Sequence, residues 1–227
     1  MTRQDIGRGL ELCRLANFNQ VRADWDYFLT HASVFVAEVE ERVVGTCAVL
    51  DRHGPVAWIA MMLVDPSVRR QSIGMRLFEH TLAHTKAPSV GLDATAMGRP
   101  LYEKYGFIAS AAILRMKRDA LSVPGHRSVP TSWRAGHASN QIGPVMADCP
   151  DEAAAQVLSA LAKAPNRAWI IDVPQAPPQA WHEWLQLQGF VPQRPLIRMF
   201  RGPAQPISAN FYATSGPEYG FHSRTDT

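Results

Sequence analysis

The sequence predicts an α/β (α+β) protein, a mixed sheet flanked by helices and followed by a smaller α/β half. Three observations carry that expectation. Helical and strand periodicities alternate along the chain, in the order ααβββαβαβ as far as residue 118. A strand–helix–strand crossover inside that order requires a parallel pair, so the sheet is mixed. The second half then repeats the first. Gly106-Phe107-Ile108 runs on to Leu114-Arg115-Met116-Lys117-Arg118, and Gly189-Phe190-Val191 runs on to Ile197-Arg198-Met199-Phe200-Arg201 at the same spacing. Asp93 and Asp172 each end a buried strand ahead of the short helix that precedes these segments, and duplication accounts for both.

Asp5 is expected to cap a first helix, with Ile6, Leu10 and Cys13 on one face. The polar corner Asn17-Phe18-Asn19-Gln20 leads to a second helix carrying Val21, Trp25, Phe28 and Leu29. Residues 34–39 and 43–50 are rich in β-branched side chains, and Glu40-Glu41-Arg42 joins them as a hairpin. Residues 56–64 are apolar on both faces, as a central strand must be. After Asp65-Pro66, the positions Ile73, Leu77, His80, Thr81 and His84 trace a helix, with Pro88 as its stop. Residues 90–95 read as a short buried strand, 99–105 as a two-turn helix ended by Gly106, and 107–116 as a strand.

Pro124, Gly125, Pro130 and Gly136, with several serines, mark residues 120–141 as a linker. Beyond it come strand 142–147, helix 151–164, strand 169–173, helix 179–188 and strand 190–200. The expected organisation is a first domain at 1–119, the linker at 120–141, a second domain at 142–213 and a tail at 214–227. The second half is small for an independent core, and Trp169, Trp181 and Trp184 need something to pack on.

A composition of 46% hydrophobic and 19% charged residues is that of a soluble globular protein. The longest apolar stretch, residues 56–64, is far short of the ~20 that a membrane helix needs, and no basic segment followed by an apolar one opens the chain. Cys13, Cys47 and Cys149 are odd in number and lack metal-ligand spacing, so a cytoplasmic location is expected, with neither disulfides nor metal. His80 and His84 have helical i, i+4 spacing, but a packed or solvated face explains them better than a metal. A formal charge of +3 is too small to imply nucleic acid and suits a modest anionic ligand.

Chemistry concentrates at Leu63-Val64-Asp65-Pro66-Ser67-Val68-Arg69-Arg70-Gln71-Ser72-Ile73-Gly74-Met75. A buried strand ends there, and a helix begins inside a basic loop of small residues. Free N–H groups at the helix start, the positive end of its dipole and two arginines together call for a phosphate or pyrophosphate.

This loop resembles the acyl-CoA pyrophosphate loop of the GNAT acetyltransferase superfamily, Arg/Gln-x-x-Gly-x-Gly/Ala after a strand ending in Val-x-Pro. Arg69, Ser72 and Gly74 stand at those positions, with Ser72 in place of the first glycine. Leu101-Tyr102-Glu103-Lys104-Tyr105-Gly106-Phe107 is similar to a second segment of the same family. The chain further resembles a tandem, YitH-like subgroup with a degenerate GNAT-like C-terminal domain. That likeness rests on Phe18-Asn19-Gln20 with Asp24-Trp25, Leu92-Asp93-Ala94-Thr95, Arg194-Pro195-Leu196 with Arg198-Met199, and Ser215-Gly216-Pro217-Glu218.

The resemblance implies a GNAT fold and an acetyl-CoA-dependent N-acetyltransferase that works by direct attack in a ternary complex. The alternative is a non-catalytic acyl-CoA-binding or regulatory protein. Carried over by position, the backbones of Leu63 and Val64 hold the pantetheine, and Arg69, Arg70, Gln71, Ser72, Ile73, Gly74 and Met75 wrap the pyrophosphate. Tyr102 corresponds to the acid that protonates the departing thiolate, a phenol near ~10 donating to a thiol near ~8.5. Asp93 is a candidate base or a cap, Thr95 lies beside it, and Asn19, Gln20, Asp24 and Trp25 line the acceptor side. The acceptor is a small-molecule or peptide amine. Asp148-Cys149-Pro150-Asp151-Glu152 replaces the basic loop in the second half, so one cofactor per chain is expected. That half covers the acceptor cleft or forms a homodimer interface.

Overall fold

Two antiparallel ladders and one parallel ladder join the first four strands of this computed structural model, which describes residues 1–51, 54–120, 128–175, 179–205, 207–208 and 210–214. Strands β1 (Ser33–Val39) and β2 (Arg42–Leu50) form the expected hairpin, and Glu40 and Glu41 make the turn with φ of 50° and 61°. Strand β3 (Val56–Val64) pairs antiparallel with β2, and β4 (Ser89–Ala94) pairs parallel with β3. The crossover carries α3 (Ile73–Leu82), which ends well before Pro88. Helices α1 (Ile6–Leu15) and α2 (Arg22–His31) precede the sheet, and α4 (Arg99–Lys104) and β5 (Ile108–Arg118) follow it. Asp5 turns its carboxylate back on Thr2, whose N–H and hydroxyl donate to it at 2.6 and 2.9 Å, and makes no side-chain cap on α1.

The expected linker is partly structured. Strand β6 (Trp133–Arg134) lies inside it and pairs with β7 (Asn140–Ile142), while residues 121–127 fall outside the described residues. The single strand expected at 142–147 is two, β7 and β8 (Val145–Met146), because Gly143-Pro144 interrupts the ladder. Helix α5 (Pro150–Lys163), β9 (Trp169–Pro174), α6 (Gln179–Leu187) and β10 (Val191–Arg201) follow the predicted order within a residue or two. Strand β11 (Phe211–Ala213), which the sequence pattern does not announce, pairs with β8.

By contacts the chain forms two compact units that are not contiguous in sequence. The first gathers Met1–Leu92, Pro100–Ile108 and Phe200–Ala204. The second gathers Asp93–Arg99, Ala109–Met199 and Gln205–Thr227. In the first, Trp25, Phe28, Cys47 and Phe78 are fully buried. In the second, strand order is β10-β5-β9-β7-β6, with β5–β9 antiparallel and β7–β9 parallel. Its tryptophans find their partners inside the unit: Trp169 meets Trp133 edge-on at 5.5 Å, and Trp181 stacks on Trp184 at 5.0 Å. Among the described residues no helix is long and apolar enough to cross a membrane.

The repeated Asp and Arg positions pair crosswise, all four inside the second unit. Arg115 of the first repeat grips Asp172 of the second through Nε and Nη2, both at 2.6 Å. Arg198 of the second repeat grips Asp93 of the first through the same two atoms at 2.8 Å. Gln141 adds a donor to Asp172 at 3.0 Å, and Arg198 reaches the Thr214 hydroxyl at 3.2 Å. Bidentate arginine–carboxylate pairs are the strongest of the side-chain hydrogen bonds and fix orientation as well as distance. An Arg115→Met substitution should cost about 3–5 kcal/mol in urea unfolding, because it leaves a buried carboxylate without its cation. Adding Asp172→Leu to it should recover part of that loss.

Candidate functional site

The site begins where β3 and β4 part. Their parallel ladder joins Val56 with Ser89, Ala57 with Val90 and Trp58 with Gly91. Gly91 is required there, since a Cβ would lie 2.3 Å from the Trp58 ring. Beyond that rung β3 continues to Val64 paired with β2 alone. The cause is a bulge. Met61 sits at φ 54°, the β2–β3 register shifts between Thr46 and Ala48, and the Thr46 hydroxyl pins the Met61 carbonyl at 2.8 Å. Asp65 N–H donates to Val44 O at 2.8 Å, and Thr46 stands opposite Leu63. Backbone groups alternate along a strand, so those of Leu63 enter the β2 ladder and those of Val64 face the parting.

Asp65 anchors the turn that follows. Its carboxylate accepts from the Ser67 N–H at 2.9 Å and hydroxyl at 2.7 Å, and it pairs with Arg8 and, at 3.4 Å, Arg42. Those donors pull its pKa down to about 2, the Ser67 bonds most strongly. The loop then runs exposed through Arg69, Arg70, Gln71 and Ser72, with Arg69 Nε over the Val64 carbonyl at 3.4 Å. Arg70 (φ 64°) and Ser72 (φ 59°) both occupy the left-handed region, and Ser72 is the N-cap residue of α3. Its side chain makes no capping bond, so the first-turn amides of Ile73, Gly74 and Met75 lack that internal acceptor. Gly74 lets this turn settle on β3, for a Cβ would stand 3.2 Å from Val64 and 3.3 Å from Met62. An uncapped helix start bearing two arginines fits a pyrophosphate, and the open edge of β3 beside it fits an extended amide-bearing arm.

Tyr102 is buried, its ring against Phe78 at 5.1 Å and Phe107 at 6.2 Å. Burial, and then the neighbouring Cys47, holds its pKa above the ordinary phenol value, so Oη keeps its proton at neutral pH. Tyr105, half-buried, points its hydroxyl at the Met75 carbonyl at 3.5 Å. The loop, the open β3 edge and Tyr102 all belong to the first unit.

Other sequence candidates have structural tasks. Both carboxylate oxygens of Asp93 accept from Arg198, and Asp93 and Thr95 belong to the second unit. Thr95 Oγ1 accepts from the Gly98 N–H at 3.2 Å. Asp24 is buried and accepts from the Val21 N–H at 2.8 Å at the start of α2. Trp25 is wholly buried beneath Gly9, where a Cβ would stand 2.8 Å from its ring. Asn19 and Gln20 are half-buried in the corner before α2. His80 and His84 pack on Phe35 at 4.8 and 4.3 Å, and among the described residues no group of three or more His, Cys, Asp or Glu could hold a metal. Cys47 is buried and its thiol is pushed up to about 12 by that burial. In the second unit, Asp151 and Glu152 occupy the first turn of α5, and Glu152 accepts from the Asp148 N–H at 3.1 Å. Glu218 and Tyr219 lie outside the described residues. Sequence reasoning missed Met61 and the anchoring by Asp65. Asp65-Pro66-Ser67 does carry a turn signature, whereas nothing in the sequence marks a methionine for a bulge.

Two family profiles, each described as an acetyltransferase (GNAT) domain, match residues 30–109 and 132–212. The solved structure of a proposed acetyltransferase from Pyrococcus horikoshii superposes with a TM-score of 0.76 at 19% identity, over 94% of this chain and 92% of that one. A tandem GNAT protein from the clavulanic acid biosynthesis pathway superposes with a TM-score of 0.64 at 14% identity, over 89% of this chain and 96% of that one. At such identities the likeness is one of fold. Among curated proteins none matches the sequence.

Two outcomes follow from the loop. Ser72→Gly should stabilise the protein by about 0.5–1 kcal/mol in chemical denaturation, the relief of a left-handed serine outweighing the chain entropy of glycine. Asp65, with its folded pKa depressed to about 2, contributes stability in full above about pH 4 and loses it as pH falls through that interval. Asp65→Asn should therefore be less stable at neutral pH and show a flatter stability profile between about pH 4 and pH 2.

Proposed function

We infer, from a chain that belongs to the GNAT acetyltransferase superfamily and carries two of its domains in tandem, that this protein moves an acetyl group from acetyl-CoA to an amine by direct attack in a ternary complex. The observation that carries the reading is the opening between β3 and β4 beside the uncapped, basic start of α3. Acetyl-CoA supplies the acetyl thioester. The amides of Ile73, Gly74 and Met75, with Arg69, Arg70, Gln71 and Ser72, would hold its pyrophosphate, and the backbone groups of Val64 would hold its amide-bearing arm. Leu63 contributes from beneath, as a buried side chain under the strand end.

Tyr102 keeps a proton at Oη and passes it to the departing thiolate; its burial favours the neutral phenol before reaction. Asp93 is not assigned the base, because both of its oxygens accept hydrogen bonds from Arg198. The amine acceptor is a small molecule or a peptide. One cofactor per chain is proposed: in the second unit the helix start is acidic and its Glu152 bonds the preceding turn. The three free thiols, two of them buried, accord with a cytoplasmic setting.

Calorimetric titration tests the first step. Acetyl-CoA should bind one per chain, and a pantetheine analogue without the pyrophosphate should bind at least about a hundredfold more weakly. Absence of binding at millimolar acetyl-CoA would refute the enzyme reading. In a thiol-release assay against an amine panel, Tyr102→Phe should lower kcat by about 10²-fold or more with acetyl-CoA affinity unchanged. Unchanged kcat would leave Tyr102 a packing residue, and acetyl-CoA binding without turnover on any amine would favour a regulatory role.

A further inference from the structure

The first unit carries an open cleft of about 520 Å³ that the transfer chemistry does not use. It is lined by Glu79 and Leu82 in the second half of α3, by Thr85 and Pro88 ahead of β4, and by Tyr105 and Arg201. All of these belong to one unit. At ~1.5 Å rise per residue, Glu79 and Leu82 stand roughly 9 and 13 Å along the helix from Ile73, so the basic loop is at the other end.

Its walls are held in place. The Thr85 hydroxyl donates to Asp51 at 2.6 Å and accepts from the Ala87 N–H at 3.2 Å. The Ser89 hydroxyl donates to the Pro203 carbonyl at 2.7 Å. Gly202 passes with φ 90° so close to Pro88 that a Cβ would lie 2.2 Å from its carbonyl oxygen. The Tyr105 ring is fixed edge-on to Phe78 at 5.2 Å. A preformed cleft of this size is in the range that takes small molecules.

Its charges narrow the ligand. Glu79 and Arg201 both line the space, and among the described residues neither side chain has an ion-pair or hydrogen-bond partner. Leu82 and Val90, both buried, give the lining an apolar part. A simple anion would suit Arg201 but meet Glu79, and a simple cation the reverse. A neutral apolar ligand would satisfy neither. A molecule with both charges and an apolar portion matches all of these groups. We propose that this cleft binds a small zwitterion of the amino-acid or dipeptide class, with its carboxylate on Arg201, its ammonium on Glu79 and its side chain against Leu82 and Val90.

The test is calorimetric titration of the full chain with L-leucine and L-alanyl-L-leucine, in saturating CoA so that the cofactor site is occupied. N-acetyl-L-leucine and L-leucinamide, which lack one charge each, are the controls. At least one zwitterion should bind one per chain, about tenfold or more tighter than both controls. Arg201→Gln and Glu79→Gln should each weaken it by about tenfold, with thermal stability unchanged because both side chains are exposed. No saturable binding of either zwitterion up to about 10 mM would overturn the proposal. Equal binding of the controls, or binding indifferent to both substitutions, would overturn it too.

Discussion

Two bidentate ion pairs, Arg115 with Asp172 and Arg198 with Asp93, tie the duplicated halves of the sequence to one another. Each repeat donates its arginine to the other repeat's aspartate, so neither completes its own clamp. A buried charge without its partner costs several kcal/mol, and the second unit therefore cannot close around one repeat alone. The constraint also bears on Asp93. Its position at a strand end would suit a base, but the arginine has already claimed both oxygens.

A second constraint acts at β3. Met61 accepts a left-handed backbone, which an unbranched side chain tolerates at a cost of ~1–3 kcal/mol, and the Thr46 hydroxyl and the β2 ladder hold it there. The consequence is a strand that leaves β4 after Trp58 and turns the backbone groups of Val64 toward the parting, where Arg69 Nε meets the carbonyl at 3.4 Å. Asp65 then fixes the exit of the strand, and Arg70 and Ser72 take two further left-handed positions before α3 begins. Three strained residues and one depressed carboxylate within a dozen positions mark where the fold spends stability on shape.

How much of this could be read beforehand varies with its physical origin. Strands 56–64 and 169–173 and helix 151–164 were legible within a residue or so, because burial on both faces or along one stripe leaves a periodic trace. The basic loop and Tyr102 were legible as motif positions. The short strands β6, β7, β8 and β11 were not legible as such, since two or three residues carry no period. Two of the residues expected on the acceptor side have structural contacts that spacing does not reveal. Asp24 and Trp25 look functional as an acid beside an aromatic, yet the acid caps a helix and the ring packs against Gly9. Spacing along a chain cannot distinguish a ligand-facing pair from a cap followed by a core residue; only the packing partner does.

The duplicated halves differ most at the starts of their central helices. In the first, Ser72 makes no capping bond, two arginines stand ahead of it, and glycine lets the turn lie close on the strand. In the second, proline opens α5, two acidic residues fill its first turn, and Glu152 turns back to satisfy the Asp148 N–H. Both are sound ways to begin a helix, but they are electrostatic opposites. The second neutralises its own dipole from within and gains stability from that alone. The first has no side-chain cap from Ser72 and leaves the same donors to water or to an anion. The second unit instead packs its tryptophans on one another, Trp169 against Trp133 and Trp181 against Trp184.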